Sequence, residues 1–403
     1  MKVAIIGGGA SGMMAAIVAA QSGHEVTVFE HMQRIGKKLL VTGSGKCNLT
    51  NEDMSTSHFF GTDRHVIESV LSSFSYDDTI DMFNELGLLT YSRNGYIYPQ
   101  SDQASSVLDV LRFKMSALSI SVVTDAHVKS VSKVKDSFIV KTDGTDFSCE
   151  RVIIATGSMA APKTGSDGSG YSLAESFGHT IIKPLPALTQ LRCDESFFKG
   201  LAGIRVKGKI TLFIDQKAVA DNRGELQLNA YGLSGIPTMI VSHLATRALD
   251  ENKQVSAHIS FLPDHTKKSA KEFLEARRDN NAYYDAGDFL LGILHKNLSS
   301  LIVKLAGIPR DIKAGEITDN QLDKVATLMT DFCVNIVGFN SFDDAQVCSG
   351  GIDLNEVTDN LESKICPGLF FAGEILDVNG DCGGYNLQWA WSSGAVSGRL
   401  ISK

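Results

Sequence analysis

Three glycines near the start of the chain have the spacing of a phosphate-binding turn. Gly7, Gly9 and Gly12 lie in "VAIIGGGASG", directly after a short apolar segment. In a G-x-G-x-x-G turn the first glycine permits the bend, the second lets the backbone approach a pyrophosphate, and the third lets a helix pack closely on a strand. The first helical N–H groups, here those of Ala10 and Ser11, attract a phosphate. The spacing therefore predicts a site for a phosphorylated nucleotide.

An acidic residue completes this motif. A second apolar segment, Glu25 to Phe29, ends at Glu30, which lies eighteen positions after Gly12. A carboxylate at this distance accepts hydrogen bonds from an adenosine ribose. Because it would repel a 2′-phosphate, FAD or NAD is favoured over NADP. The elements that position these groups are a strand, a helix and a second strand of a parallel sheet.

Two later segments favour FAD over NAD. The apolar strand in "RVIIATGS" follows an alternating stretch, residues 127–150, which predicts a small antiparallel meander. Near the end of the chain, "PGLFFAGEILDVNGD" predicts another buried strand, Leu369 to Ala372. A strand, a meander, "ATG" and a late strand, in this order, are typical of flavoproteins with two dinucleotide domains. These segments contribute the expected cofactor residues Val128, Ala155, Thr156, Gly157, Gly373, Glu374 and Asp377.

The run "GDCGGYNLQWAWSSG" predicts a glycine-rich loop followed by a helix that begins near Asn386 or Leu387. The positive end of that helix is expected to face the flavin pyrimidine edge, where negative charge collects on reduction. The expected cofactor contacts in this run are Asp381, Gly384, Asn386 and Leu387. Trp389 and Trp391 are two positions apart and cannot share a helix face. We expect one of them to pack in the core and the other against a neighbouring domain.

The segment "GKKLLVTGSGKCNLTN" follows the second strand and offers both charge and close backbone approach. It contributes the candidates Lys37 and Lys38 for phosphate, and Gly43, Gly45, Cys47 and Asn48 beside the isoalloxazine ring. Many disulfide reductases carry a second cysteine five positions after the first, whereas this chain has Glu52 there. A dithiol mechanism is therefore disfavoured. Cys47 is interpreted as a packing or polar lining residue, with a catalytic thiol as the weaker alternative.

Five segments together resemble the bacterial flavoproteins described as NAD(P)/FAD-dependent oxidoreductases, which include aminoacetone-oxidase-like and bile-acid dehydro-reductase-like members. They are "GKKLLVTGSGKCNLTN", "YPQSDQASSVLDVL", "PKTGSDGSGYSLAESFGH", "GELQLNAYGLSGIP" and "AGEILDVNGDCGGYNLQWAWSSG". The resemblance spans nearly the whole chain. It implies an α/β fold in which both chain ends build a Rossmann-like FAD-binding domain of the two-dinucleotide-domain type. A β-barrel-like domain and a helical domain are inserted between them.

The corresponding boundaries divide the chain into three parts. We expect residues 1–185 and 343–403 to form the FAD domain, 186–262 and 311–342 a β-rich substrate domain, and 263–310 a helical subdomain. The loop Asn229 to Gly235 is a candidate lid over the flavin. Some relatives have an ionisable residue where this chain has Ala230, so an acid–base role there is in doubt, and Tyr231 is a weak candidate for a proton donor.

Bulk composition limits the classes of function. The 403 residues are 43% hydrophobic and carry a net charge of −8, which argues against a nucleic-acid partner because phosphate contacts need a basic face. The seven cysteines are scattered without a C-x-x-C pair, which favours reduced cytoplasmic thiols and no zinc site. No apolar run reaches about 18 residues, so no membrane span is expected. The N-terminal apolar stretch is interpreted as a strand and a helix rather than as a signal peptide.

The sequence contains no second G-x-G-x-x-G, so NAD(P)H is expected to act only transiently at the flavin, if it is the donor. The first hypothesis is hydride transfer through flavin N5 to or from a small or hydrophobic molecule, including reduction of an activated C=C bond. A glycine-rich stretch after "ATG", similar to one in fumarate-reductase-type flavoproteins, suggests that reaction by analogy. The alternatives are an amine oxidase that uses O2, a tRNA-modifying flavoprotein and a non-catalytic flavin sensor.

Overall fold

A computed structural model describes residues 1–400 and assigns regular elements to most of them. The α-helices are α1 (Ala10–Gln21), α2 (Arg64–Ser73), α3 (Tyr76–Glu85), α4 (Ala104–Ala117), α5 (Ser169–Glu175), α6 (Ile236–Asp250), α7 (Lys267–Asn280), α8 (Lys296–Leu305), α9 (Asp319–Thr330) and α10 (Tyr385–Gly398). The strands are β1 (Lys2–Ile6), β2 (Glu25–Phe29), β3 (Thr50–Asn51), β4 (Phe59–Gly61), β5 (Thr90–Arg93), β6 (Tyr96–Pro99), β7 (Ser121–Val123), β8 (Val128–Val134), β9 (Ser137–Thr142), β10 (Asp146–Cys149), β11 (Arg151–Ile154), β12 (Ile181–Ala187), β13 (Leu191–Cys193), β14 (Ile204–Ile214), β15 (Lys217–Asn229), β16 (Gly232–Ser234), β17 (Val255–Ser260), β18 (Phe332–Phe339), β19 (Val347–Ile352), β20 (Leu369–Phe371) and β21 (Val378–Gly380).

The first compact unit comprises Met1–Leu185 and the chain from Ala345 onward. Its centre is a parallel five-stranded sheet in the order β20-β11-β1-β2-β7. The inner strands are buried along nearly their whole length because helix α1 and the strands β9 and β10 pack against the sheet. The strands β8, β9 and β10 form the antiparallel meander. The expected Rossmann-like domain built from both chain ends is confirmed.

The second unit, Pro186–Asp344, is built around a closed barrel with the strand order β13-β16-β15-β14-β17-β18. Alternate residues of β14 and β17 point into its core. The helices α6 to α9 share one hydrophobic core with the barrel strands. The expected barrel and helices are therefore present. The finer division at residues 263–310 stays a prediction.

Three sequence-based expectations were wrong. Both tryptophans lie in α10 and are buried in the core of the first unit, Trp389 with 1% exposure and Trp391 with 0%. The Trp389 indole donates to Gly373 O at 3.1 Å and the Trp391 indole to Leu49 O at 3.0 Å, so polar contacts inside the unit satisfy both rings. The expectation assumed that α10 has one polar face, but a helix that is buried all round can pack apolar residues on every side.

The proposed lid over 229–235 is not a free loop. Residues 232–234 are strand β16, which pairs with β13 and β15 in the barrel, and this leaves a two-residue turn at Ala230 and Tyr231. The apolar periodicity over Gly287 to Leu305 predicts one amphipathic helix, but α8 begins only at Lys296, and a 3-10 turn, Ala286–Asp288, precedes it.

Candidate functional site

The carboxyl ends of the parallel strands bring the sequence motifs of the first unit to one edge of the sheet. Gly7 follows β1, Glu30 follows β2, Ala155 follows β11 and Gly373 lies two residues beyond β20. In open α/β sheets this edge is where ligands bind. The motifs predicted from separate parts of the chain are therefore neighbours in the fold.

The three motif glycines have different local geometry. A Cβ on Gly7, where φ is +104°, would lie 2.4 Å from Ala155 O, and a Cβ on Gly12 would lie 2.0 Å from Gly7 O. Both glycines are therefore required for packing inside the protein. A Cβ on Gly9 would meet no atom within 4 Å. Gly9 thus leaves open space at the N-terminus of α1, where backbone N–H groups lack helical partners.

The Glu30 carboxylate is buried and held in place by two backbone donors. Its Oε2 accepts from Gly8 N at 2.9 Å and its Oε1 from Met32 N at 2.8 Å. Each carboxylate oxygen can accept a second hydrogen bond. Glu30 is consequently oriented to accept from hydroxyl groups beside the glycine turn.

A charged contact joins the loop after β2 to the segment after β20. Lys38 Nζ lies 2.7 Å from Glu374 Oε2, and the same oxygen accepts from Ser158 Oγ at 3.1 Å. The lysine and glutamate side chains are 23% and 19% exposed. Lys38 is therefore paired with a carboxylate of the protein, whereas Lys37 is exposed. A phosphate contact for either lysine stays a prediction.

The loop over residues 43–48 has a run of left-handed backbone. The φ angles are +54° at Gly43, +56° at Ser44, +86° at Gly45 and +61° at Cys47. A Cβ on Gly45 would meet no atom within 4 Å, so the backbone is open to a flat ligand there. Burial raises the pKa of the Cys47 thiol to about 12, and this group therefore stays a thiol at neutral pH. That protonation state argues against a redox role for Cys47.

This loop contacts the loop that precedes α10. With its amide nitrogen directed to Thr50 O and Ile97 O, the Asn48 side chain accepts from Gly384 N at 3.2 Å. Asn51 Nδ2 donates to Gly383 O at 2.9 Å. The N-terminus of α10 is thus held beside the 43–48 loop.

The remaining candidates in the first unit are placed as follows. Asn386 Oδ1 accepts from Gly380 N at 2.7 Å and shapes the loop, while Asp377 Oδ1 accepts from Gly350 N at 2.9 Å. Thr156 Oγ1 is buried and has no hydrogen-bond partner within residues 1–400. Gly157 has a φ of +77°. The other two side chains are apolar, with Val128 8% exposed in β8 and Leu387 partly buried in α10.

Tyr231 belongs to the second unit and lies in the turn between β15 and β16. Its carbonyl accepts from Cys193 N at 2.9 Å. Partial burial, with Asp344 adding to the effect, raises the pKa of its phenol. A neutral phenol can donate a proton, but no contact in this unit assigns Tyr231 that role.

Two absences concern only the described part of the chain. Within residues 1–400, no group of three or more His, Cys, Asp or Glu side chains is arranged to hold a metal ion. None of the helices over the same residues combines the length and the apolar character needed to cross a membrane.

The family model described as HI0933-like protein Rossmann domain matches residues 1–400. The chain belongs to this family. It is 41% identical over 405 aligned positions to the 3-dehydro-bile acid delta(4,6)-reductase of Clostridium scindens, covering 100% of this chain and 99% of the relative. It is 30% identical to the ribosomal RNA dihydrouridine synthase of Escherichia coli, covering 96% and 95%. The Sdh1 complex of Mycobacterium smegmatis in the apo form has a similar fold, with a TM-score of 0.51 at 15% identity over 99% of this chain and 67% of that one.

This HI0933-like protein is an FAD-dependent oxidoreductase, as the resemblance implied. Its residues fit the cofactor on structural grounds. Open space at Gly9 and Gly45 lets a ligand reach the backbone, and the Glu30 carboxylate has free acceptor capacity.

Sequence reasoning missed one polar group beside the loop that precedes α10. His58 Nδ1 lies 2.9 Å from Asp381 Oδ2 and its Nε2 lies 3.3 Å from Asp53 Oδ2. The His58 ring also stacks on Tyr385, with the centroids 4.4 Å apart. The pairing of β4 with β21 produces this contact, and neither short strand has a hydrophobic pattern that would predict the pair.

Proposed function

We propose that this protein reduces an activated C=C bond of a hydrophobic, carbonyl-containing small molecule, with NAD(P)H as the electron donor. The observation that carries the proposal is full-length identity of 41% to a reductase whose name specifies C=C bonds of a 3-dehydro-bile acid. A C=C bond conjugated to a carbonyl accepts hydride readily because the developing negative charge spreads onto oxygen. The scattered free cysteines favour a cytoplasmic enzyme.

We propose that the N–H groups of Ala10 and Ser11 hold the FAD pyrophosphate beside Gly9, and that Glu30 accepts from the adenosine ribose. Bound FAD supplies the hydride chemistry that side chains lack. The N-terminus of α10, which Asn48 holds in place, would place positive potential beside the flavin. Lys38 would keep the Glu374 charge neutralised next to the cofactor.

A second candidate is reduction of uridine in RNA. It is favoured by the 30% identity, over 96% of the chain, to a ribosomal RNA dihydrouridine synthase. Dihydrouridine differs from uridine by two hydrogens added across one ring C=C bond, so the type of reaction is the same. The net charge of −8 weighs against an RNA substrate.

Anaerobic stopped-flow spectroscopy distinguishes these candidates. The flavin is first bleached with NADH or NADPH and followed near ~450 nm. The reduced protein is then mixed with a 3-oxo bile acid whose carbonyl is conjugated to ring C=C bonds, with the matched saturated 3-oxo acid as the control. Reoxidation by the conjugated acid alone supports the proposal. Reoxidation by unmodified ribosomal RNA and not by the acid supports the second candidate. If neither reoxidises the flavin and only a separate mixing with air-saturated buffer does, both candidates are contradicted.

A further inference from the structure

The hairpin of β5 and β6 presents three tyrosines on one side. In the register of this pair, Tyr91 lies opposite Tyr98 and Arg93 lies opposite Tyr96. Directly opposite residues, and residues two apart on one strand, point to the same side of a sheet. The other side carries Ile97, which is 3% exposed and belongs to the core of the first unit. We call Tyr91, Arg93, Tyr96 and Tyr98 the tyrosine face.

The tyrosine face is open to a ligand. Its three tyrosines are partly exposed, and Arg93 is exposed. The centroids of the Tyr91 and Tyr98 rings are 6.0 Å apart with an angle of 32° between the ring planes, so the two rings form one continuous surface. Successive pairs on one side of an antiparallel ladder are about 7 Å apart. The two pairs of the tyrosine face together therefore offer room for several fused rings.

The tyrosine face adjoins both loops that the proposed function places at the flavin. A Cβ on Gly383 would lie 2.6 Å from Tyr96 Cε1, so the Tyr96 ring packs on the loop that precedes α10. A Cβ on Gly43 would lie 3.9 Å from Tyr98 Cε1, which places the Tyr98 ring beside the 43–48 loop. A molecule bound on the tyrosine face is therefore next to the region proposed for the flavin ring.

The charged groups beside the rings differ in whether they are paired. Lys46 Nζ lies 3.0 Å from Asp102 Oδ2. Glu52 is exposed near the turn of the hairpin, where a Cβ on Gly95 would lie 3.7 Å from its Oε2. Within residues 1–400, Arg93 forms no ion pair or hydrogen bond through its side chain. An exposed guanidinium beside aromatic rings suits a ligand that joins a hydrophobic body to a carboxylate, because its planar donors match that anion.

We propose that the tyrosine face binds the hydrophobic body of the substrate and that Arg93 pairs with a carboxylate of the same molecule. The inference rests on the proposed function and narrows its substrate class to hydrophobic carboxylic acids. Single-stranded RNA also stacks bases on aromatic rings, but its phosphates require several cations. In the described part of the chain, Arg93 is the unpaired cation of this face, and the carboxylates of Glu52 and Asp102 lie beside it. These charges favour the acid over RNA.

The test measures binding of the saturated 3-oxo bile acid to the oxidised, flavin-loaded protein by calorimetry. The matched neutral ligand is the alcohol in which a hydroxyl replaces the carboxylate. Wild type should bind the acid about two- to fivefold more tightly than the alcohol, which is the range for an exposed ion pair. Arg93→Gln should abolish this preference by weakening the binding of the acid alone. Arg112→Gln, which changes an exposed arginine on α4, is the matched control.

A second set of variants tests the rings. Tyr98→Ala should weaken the binding of both ligands by about tenfold, because a large apolar contact is lost. Tyr98→Phe keeps the ring and should restore most of that affinity. If Tyr98→Ala loses its flavin, Tyr91→Ala repeats the test on the edge strand β5. Tyr283→Ala, which removes a 71% exposed ring of the second unit, is the control.

Several outcomes overturn the proposal. Equal affinity of wild type for the acid and the alcohol, equal weakening of both by Arg93→Gln, or no measurable binding of either ligand overturns the pairing with Arg93. Wild-type affinity in Tyr98→Ala and Tyr91→Ala overturns the role of the rings. If ribosomal RNA binds instead, with an affinity that falls in the same variants, the tyrosine face binds RNA and the proposal is wrong. The proposed function fails separately, if the acid binds but no conjugated acid reoxidises the reduced flavin.

Discussion

The substitution Gly9→Ala separates cofactor binding from protein stability. Gly9 precedes α1 with φ −76° and ψ −171°, angles that alanine adopts freely, and its added Cβ meets nothing within 4 Å. At such a position the smaller conformational freedom of the unfolded chain stabilises by about 0.4–1 kcal/mol, and the lower preference for alanine at an N-cap opposes this gain. The protein without FAD should therefore unfold at nearly the same denaturant concentration as wild type.

FAD binding, unlike stability, should be weakened by Gly9→Ala. The new methyl group occupies the space through which a pyrophosphate reaches the backbone N–H groups of α1. Loss of one hydrogen bond to a charged group costs about 1.5–3 kcal/mol, which corresponds to a rise in Kd of about 10- to 100-fold. Flavin fluorescence titration of the deflavinated protein measures this Kd, and urea unfolding of the same sample measures stability.

Gly12→Ala is the matched control, because its Cβ would lie 2.0 Å from Gly7 O. Overpacking of this kind costs about 1–3 kcal/mol, so this variant should lose stability even without FAD. The reasoning is refuted if Gly9→Ala binds FAD with the wild-type Kd. It is equally refuted if Gly9→Ala loses as much stability as Gly12→Ala.

Three further predictions concern two buried titratable groups, His243 and Cys47. Burial lowers the pKa of His243 in α6 from 6.5 to about 4, so the folded state stays neutral while the unfolded state binds a proton below pH 6.5. The free energy of unfolding is therefore unaffected by this group above pH 6.5 and decreases as the pH falls, by about 3 kcal/mol at pH 4. Urea unfolding between pH 7 and 4 should show a shallower decline for His243→Gln than for wild type. Cys47 should escape iodoacetamide at pH 8 while the exposed Cys333 reacts, as judged by mass spectrometry. Cys47→Ala should retain flavin reduction by NAD(P)H. If this variant binds FAD but its flavin is no longer reduced, the Cys47 thiol becomes a catalytic candidate again.

Local patterns explain which parts of the fold were predictable. The second strand, Glu25–Phe29, has the predicted bounds, and the first strand begins at Lys2, one residue before the apolar run Val3 to Ile6 that indicates it. The apolar runs and the glycine turn that define these elements lie within thirty residues of each other. The barrel strand over 232–234 was missed because three residues are too few to show an alternating hydrophobic pattern. Only its pairing with β13 and β15 identifies it as a strand.

The same distinction between local motifs and long-range contacts applies to the residues of the site. The glycine turn and Glu30 could be assigned from the sequence because their spacing reflects one βαβ unit. The contact between Lys38 and Glu374 joins residues 336 positions apart, and that between His58 and Asp381 joins residues 323 apart. No periodicity or motif links such pairs, since folding of distant strands alone brings them together.

The position of β20 has a consequence for synthesis of the protein on the ribosome. Its partner β11 ends at Ile154, but β20 begins at Leu369, after the whole of the second unit has been made. At a synthesis rate of about 5–20 residues per second, one edge of β11 therefore stays unpaired for about 10–40 s before β20 is made. The barrel unit is continuous in sequence and can fold during this interval, whereas the sheet is completed only as the last residues emerge. The exposed edge of β11 in the nascent chain is therefore where chaperones or premature association would act.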